Sequence, residues 1–179
     1  MIIFVLGVHG VGKSYLSSFF AESNCWLHKS ASDLIKQSGS VNWGNDKKVK
    51  DIVGNQRPLV SAILNLKTNN RDVLIDGHAA LLDINGNVNT VDSSVFKAME
   101  LDGLILLEED ADIIRDRFRS RGKGEIEYDL ETLQKAERDQ TLAIAHEAHI
   151  PVRTLYRTSH EDFSTAIFEL AKTKETNPV

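Results

Sequence analysis

The sequence predicts an α/β chain: a five-stranded parallel sheet with helices on both faces, a three-layer arrangement. Three observations carry that expectation. Short apolar runs recur along the chain, continuous rather than alternating, as in strands buried on both faces. Segments with apolar residues at helical spacing separate most of them. The first run also passes straight into a glycine-rich turn and then a helical pattern, the junction that a strand–helix crossover requires.

Taken in order, Ile2-Ile3-Phe4-Val5-Leu6 is the first strand, and Leu16, Phe19 and Phe20 mark the helix after the turn. Trp26-Leu27 is the second strand-like run. Residues Ser38 to Asn45 are rich in Gly, Ser and Asn and read as irregular. Leu59, Val60, Ile63, Leu64 and Leu66 share a helical face, with Gly54 and Pro58 expected to kink its start. Val73-Leu74-Ile75 is the third strand, and Asp83 to Thr90 is a loop in which Asn85-Gly86 suits a hairpin turn. Leu104 to Leu107 and Val152 to Tyr156 complete the five. Between and after them lie helical patterns through Ile113, Ile114 and Phe118, through Leu130, Leu133, Ala136, Ile144 and Ala148, and through Phe163, Ile167 and Leu170. The polar tail from Lys172 to Val179 reads as frayed. No repeat or linker interrupts the pattern, so residues 1–179 are expected to form one domain.

Composition narrows the function. The 179 residues carry 21 Lys plus Arg against 26 Asp plus Glu, a formal net charge of -5, which argues against a general nucleic-acid coat and no DNA partner is expected. The single cysteine, Cys25, excludes an internal disulfide and a Cys-rich zinc site. No apolar run approaches the roughly 18 residues of a membrane span, so no membrane partner is expected. The N-terminus has no basic leader, and a reducing, cytoplasmic setting is the expectation.

The chemistry begins at Gly7-Val8-His9-Gly10-Val11-Gly12-Lys13-Ser14, which fits G-x-x-x-x-G-K-[ST] at every fixed position. In this pattern glycines let the backbone wrap so that N–H groups converge on phosphate oxygens, and the following helix aims its positive end at them. Lys13 then reaches the β- and γ-phosphates and the Ser14 hydroxyl takes a Mg²⁺ coordination site, so Gly7, Gly10, Val11, Gly12, Lys13, Ser14 and Tyr15 are the expected ATP-binding residues. Asp76 ends the third strand, where a carboxylate would hold the metal through water, and Gly77 lets the backbone approach a ligand. Farther along, Arg115, Arg117, Arg119 and Arg121 interleave with Asp112 and Asp116. If Ile113, Ile114 and Phe118 bury that helix, Arg117 and Arg121 project from its end toward a phosphate, and residues 119–124 read as a short lid. The bland alternative is a solvated helix end with surface ion pairs.

These residues resemble the P-loop nucleoside monophosphate kinases of the adenylate kinase group, and most nearly the archaeal-type adenylate kinases and the small ATP-binding proteins related to them. The resemblance runs from Ile2 to about Leu170 and implies a sheet in strand order 2-3-1-4-5, with Asp76 beside Gly7. It makes Ser30-Ala31-Ser32-Asp33-Leu34-Ile35-Lys36 similar to the segment that opens the monophosphate site. Lys36 then stands where the family has an arginine, and Asp33 falls in the acceptor site. Asp76-Gly77-His78 looks like the Asp-Thr-His of the archaeal type, while Ala79-Ala80 replaces the Pro-Arg of the bacterial type, so one acceptor arginine is missing. His78 either hydrogen-bonds the acceptor or orients its loop; His9 fills space nearby. Arg117 and Arg121 resemble lid-flanking arginines, and Gln134 and Arg138 resemble a Gln and an Arg of the next helix. An acceptor-binding segment over about 30–67 and a short lid over about 117–128 follow from the same resemblance.

The activity it implies is Mg²⁺-dependent transfer of the ATP γ-phosphate to a nucleoside monophosphate, with catalytic roles for Lys13, Arg117, Arg121 and Asp76. Two alternatives stay open at this point. One is a kinase for a small-molecule or nucleic-acid hydroxyl, for which Asp33 is the candidate base. The other is an ATPase switch that binds a protein or RNA partner. Trp43, Gln56 and Arg57 are candidates for contact with an acceptor base or phosphate, beside their ordinary packing and surface roles.

Overall fold

A computed structural model describes residues 1–37, 56–68, 71–122 and 124–176 of the chain. Five parallel strands form the central sheet: β1 (Ile2–Leu6), β2 (Leu27–Ser30), β3 (Val73–Asp76), β6 (Gly103–Glu108) and β7 (Val152–Tyr156). Between β3 and β6 lies a separate antiparallel pair, β4 (Ala80–Leu82) and β5 (Val88–Thr90). The sheet order is β2-β3-β1-β6-β7. With the hairpin strands left out of the count, that is the expected 2-3-1-4-5.

The helices are α1 (Lys13–Asn24), α2 (Ala31–Gln37), α3 (Gln56–Thr68), α4 (Ser93–Ala98), α5 (Ala111–Ser120), α6 (Leu130–Ala148) and α7 (His160–Thr176). Alternation along β1 explains the layers, since successive side chains leave a strand on opposite faces. Ile2, Phe4 and Leu6 join Leu59 and Ile63 of α3, Phe96 of α4 and Ile144 of α6 in one core. Ile3 and Val5 join Leu16 and Phe20 of α1, Ile114 of α5 and Phe163 and Ile167 of α7 in the other. Every residue of β1 is buried, which is why its sequence is a continuous apolar run.

The elements depart from sequence expectation in several places. Pro58 does not kink α3, because it sits in the first turn, where a missing N–H costs no helical bond. The chain beyond Lys172 is not frayed at once: α7 continues to Thr176. The hairpin expected at Asn85-Gly86 is present: its strands pair Ala80 with Thr90 and Leu82 with Val88, and Asp83 caps its tip by accepting from the N–H groups of Asn85 and Asn87. Helix α4, unmarked by periodicity, is one short stretch capped by Asp92, which accepts from the Ser94 N–H at 2.8 Å. The expected irregular stretch at 38–45, Trp43 and Gly54 lie outside the described residues.

Candidate functional site

The site lies at the carboxyl ends of the parallel strands, where β1 stops and the chain turns into α1. Gly7 adopts φ +142°, and a Cβ there would lie 2.6 Å from the Leu107 carbonyl oxygen. Gly10 has φ +87° and packs against Ile114 and Phe118 of α5. Gly12, at φ +115°, opens α1, so the helix points its positive N-terminal end into the loop. Val11 is buried and its N–H bonds the Val8 carbonyl at 3.4 Å. These glycines take backbone angles that an L side chain rarely adopts, and the result is a wrapped backbone cradle.

Lys13 is buried and its Nζ donates to the carbonyls of Gly7 and Val8, the latter at 3.1 Å, so the ammonium lies inside the cradle. Ser14 follows on the first turn of α1, and its hydroxyl donates to Asp76 Oδ2 at 2.6 Å. The ladder sets this meeting: β1 pairs with β3 so that Val5 faces Asp76, and the Gly77 N–H bonds the Val5 carbonyl at 3.0 Å. A Cβ on Gly77 would fall 2.6 Å from the Phe4 ring, so only glycine lets the chain leave β3 this closely.

Asp76 has a further partner that the sequence did not announce. His28 of β2 lies with Nε2 at 3.0 Å from Asp76 Oδ2 and Nδ1 at 2.9 Å from the Ser18 hydroxyl. A carboxylate only accepts, so the hydrogen of this bond sits on Nε2 and His28 donates to Asp76. Burial pushes the Asp76 carboxyl up, but the hydrogen bonds from His28 and Ser14 and the charges of His28 and Lys13 outweigh it and leave it below its usual value. An ionised Asp76 beside a hydroxyl that can turn its lone pairs outward is a fitting donor set for a hard divalent cation held partly through water. The residues therefore fit Mg²⁺.

The arginines are arranged differently from a bare helix end. Arg117 folds back onto the loop: Nη1 donates to the carbonyls of Gly10 at 3.2 Å and Val11 at 3.0 Å, and Nη2 to Glu109 at 2.9 Å. Its reach follows from the packing of α5 against Gly10. Gln134 of α6 donates to the Glu109 carbonyl at 2.7 Å, tying α6 to the same corner. Arg121 caps the end of α5 and is exposed, with no side-chain partner among the described residues. Arg115 pairs with Asp112 and Glu131, Arg119 with Asp116, and Arg138 with Glu108. None of the partners of these three arginines belongs to the cradle.

On the acceptor side, Asp33 and Lys36 lie exposed on α2 and pair with each other at 3.3 Å. The His78 ring stands 4.2 Å from that of His9, so the two histidines meet across the mouth of the loop. Tyr15 is 67% exposed, and its hydroxyl lies 3.0 Å from His160 Nε2 at the start of α7. Glu137 of α6 is the second residue that sequence reasoning missed: its buried carboxylate sits behind the cradle and accepts from Gly7, Ala79 and Ala80. No group of three or more His, Cys, Asp or Glu side chains able to hold a metal ion occurs among the described residues. No described helix is long and apolar enough to cross a membrane.

A P-loop at the end of the middle strand, a buried lysine within it and a serine–aspartate pair before it define a P-loop kinase-like protein. The family model described as AAA domain matches residues 6–134, and the chain belongs to that P-loop kinase family. It is 27% identical over 144 residues to an adenylate kinase of Prochlorococcus marinus (strain MIT 9515), covering 76% of this chain and 78% of that one. Among solved structures it is similar to the YorR protein of Bacillus subtilis in complex with phosphorylated GDP, at TM-score 0.61 and 15% identity over the whole of both chains. It is similar as well to a shikimate kinase from Acinetobacter baumannii, at TM-score 0.58 and 14% identity, covering 98% and 95% of the two chains. The last two likenesses are of fold.

Proposed function

We propose that this chain transfers the γ-phosphate of ATP, bound with Mg²⁺, to a nucleoside monophosphate, as one kinase domain with an acceptor segment over about 30–67 and a short lid over about 117–128. The observation that carries the reading is the bond from Ser14 to Asp76 in front of a loop whose lysine is already inside it. The likeness to an adenylate kinase supports the acceptor class.

In this reading the N–H groups of residues 7–15 cradle the triphosphate and Lys13 turns from the Gly7 and Val8 carbonyls to the β- and γ-phosphates. Ser14 and, through water, Asp76 would hold Mg²⁺, which would supply charge neutralisation for the transferring phosphoryl group. His28 keeps Asp76 ionised and fixed in rotation. Arg121, exposed at the end of α5, swings over the phosphates, and Arg117 steadies the loop through its carbonyls. An acceptor phosphate oxygen attacks the γ-phosphorus as the bond to the β–γ bridging oxygen breaks, giving ADP and a nucleoside diphosphate. No general base is needed, because the attacking oxygen is already anionic. Lys36, released from Asp33, and His78, Gly77 and Arg138 are the residues available to the acceptor.

The test is label transfer from [γ-³²P]ATP with Mg²⁺ against a panel of nucleoside monophosphates. The reading expects labelled diphosphate with one or a few acceptors. Labelled product only with hydroxyl acceptors would contradict it and move the role of base to Asp33.

A further inference from the structure

We propose that Glu137 is a positioning residue that locks the phosphate-binding loop to the segment following Asp76, and so sets the shape of the triphosphate cradle. The inference rests on the triphosphate-binding part of the function proposed above. Glu137 is 1% exposed, in the middle of α6. One carboxylate oxygen accepts from the Gly7 N–H at 2.8 Å and the Ala79 N–H at 3.1 Å; the other accepts from Ala79 at 3.0 Å and Ala80 at 2.6 Å. Gly7 opens the loop, and Ala79 and Ala80 follow directly on Asp76-Gly77-His78. Gly7 and Ala79 lie past the paired residues of β1 and β3, and the bond from the Val91 N–H to the Ala79 carbonyl makes Ala80 and Thr90 a pair whose N–H groups turn away from each other; without Glu137 these donors would be buried and unpaired. His9 and His78, whose rings meet at 4.2 Å, lie on the same two segments and report their separation.

All of these contacts are N–H donors, so the ionised form fits and a carboxyl proton would face no acceptor. Burial nevertheless pushes the Glu137 carboxyl above its usual value, against the Lys13 charge and the three N–H groups. A buried negative charge beside a polyphosphate site opposes binding if charge is all that it contributes. That contrast fixes the sign of a test. Glu137→Gln removes the charge, but its amide must set a donor against one of the N–H groups and disturb the lock. A charge role predicts tighter triphosphate binding by that variant, and a positioning role predicts weaker binding.

The experiment titrates the full chain with Mg²⁺ and adenylyl imidodiphosphate by calorimetry, and follows the His9 and His78 ring resonances by NMR. We expect Glu137→Gln to bind about tenfold more weakly or worse, because a buried donor is left unsatisfied. Glu137→Asp, which keeps the charge and shortens the reach, weakens binding as well. Both shift the two histidine resonances. Thr141→Val removes the buried bond from Thr141 Oγ1 to the Glu137 carbonyl at 2.7 Å, which does not touch the cradle. It lowers Tm with affinity unchanged and so separates loss of stability from loss of positioning. Equal or tighter binding by Glu137→Gln overturns the proposal, as does a loss in Thr141→Val equal to that in the Glu137 variants. A wild-type chain that binds the analogue yet phosphorylates no acceptor overturns the kinase reading alone; one that binds no nucleotide overturns both.

Discussion

Gly10→Ala separates the conformational demand of the loop from its packing demand. Gly10 has φ +87°, and a Cβ there would lie 2.7 Å from Phe118 Cε2 and 3.0 Å from Ile114 Cγ2. The left-handed angle costs about 1–2 kcal/mol for an L side chain. The ring overlap forces α5 outward at an overpacking cost of about 1–3 kcal/mol. Together about 2–5 kcal/mol is lost, which for a chain of this size lowers Tm by roughly 4–20 °C. Gly86→Ala is the matched comparison: φ is +85° with nothing within 4 Å, so only the first cost applies. Outward movement of α5 also draws Arg117 from the carbonyls of Gly10 and Val11, so Gly10→Ala should weaken nucleotide binding and Gly86→Ala should not. Calorimetric unfolding and nucleotide titration of both variants provide the measurement. Equal falls in Tm with unchanged nucleotide affinity in both would refute the packing argument and the clasp by Arg117.

Other outcomes follow from the same geometry. Ile63→Ala, at a fully buried position of α3, should cost about 2–5 kcal/mol in denaturant unfolding. Asp129 caps α6, and its hydrogen bonds from Thr132 hold its carboxyl below the usual range. A lowered folded pKa gives stability that is present above the unfolded value of about 3.9 and lost as pH falls through the folded one. The Tm difference between wild type and Asp129→Ala should therefore be full at neutral pH and vanish in acid; a difference that persists in acid would contradict it. Arg121→Ala should lower kcat with the KM for ATP little changed, whereas Arg117→Ala should raise that KM, in steady-state kinetics.

The parts legible in the sequence are those written in local pattern. The continuous apolar runs at Ile2–Leu6 and Leu104–Leu107 mark strands buried on both faces, and the Gly7-to-Ser14 motif fixes the loop, because its glycines answer a local backbone demand. What was not legible depends on partners far away in sequence. Glu137 stands among Glu131, Lys135, Arg138 and Asp139 and reads as one more surface charge; its burial arises from N–H groups 57, 58 and 130 residues distant. His28 looks like a lone polar residue in a weak strand until β2 is laid beside β3 and its ring reaches Asp76. Arg117 and Arg121 were expected to project alike, but the close approach of α5 to Gly10 turns Arg117 onto the loop carbonyls. The short α4 has too few turns for a period to show, and its signal is only the Asp92 cap.

The most direct measurement is the partition of label from [γ-³²P]ATP between nucleoside diphosphate and free phosphate, followed in wild type and Lys13→Ala as a monophosphate acceptor is added. Nearly all label is expected in the diphosphate at saturating acceptor, and a rate about 100- to 1,000-fold lower in Lys13→Ala, since the lysine stabilises charge in the transition state. Label released only as free phosphate, at a rate no monophosphate alters, would contradict it.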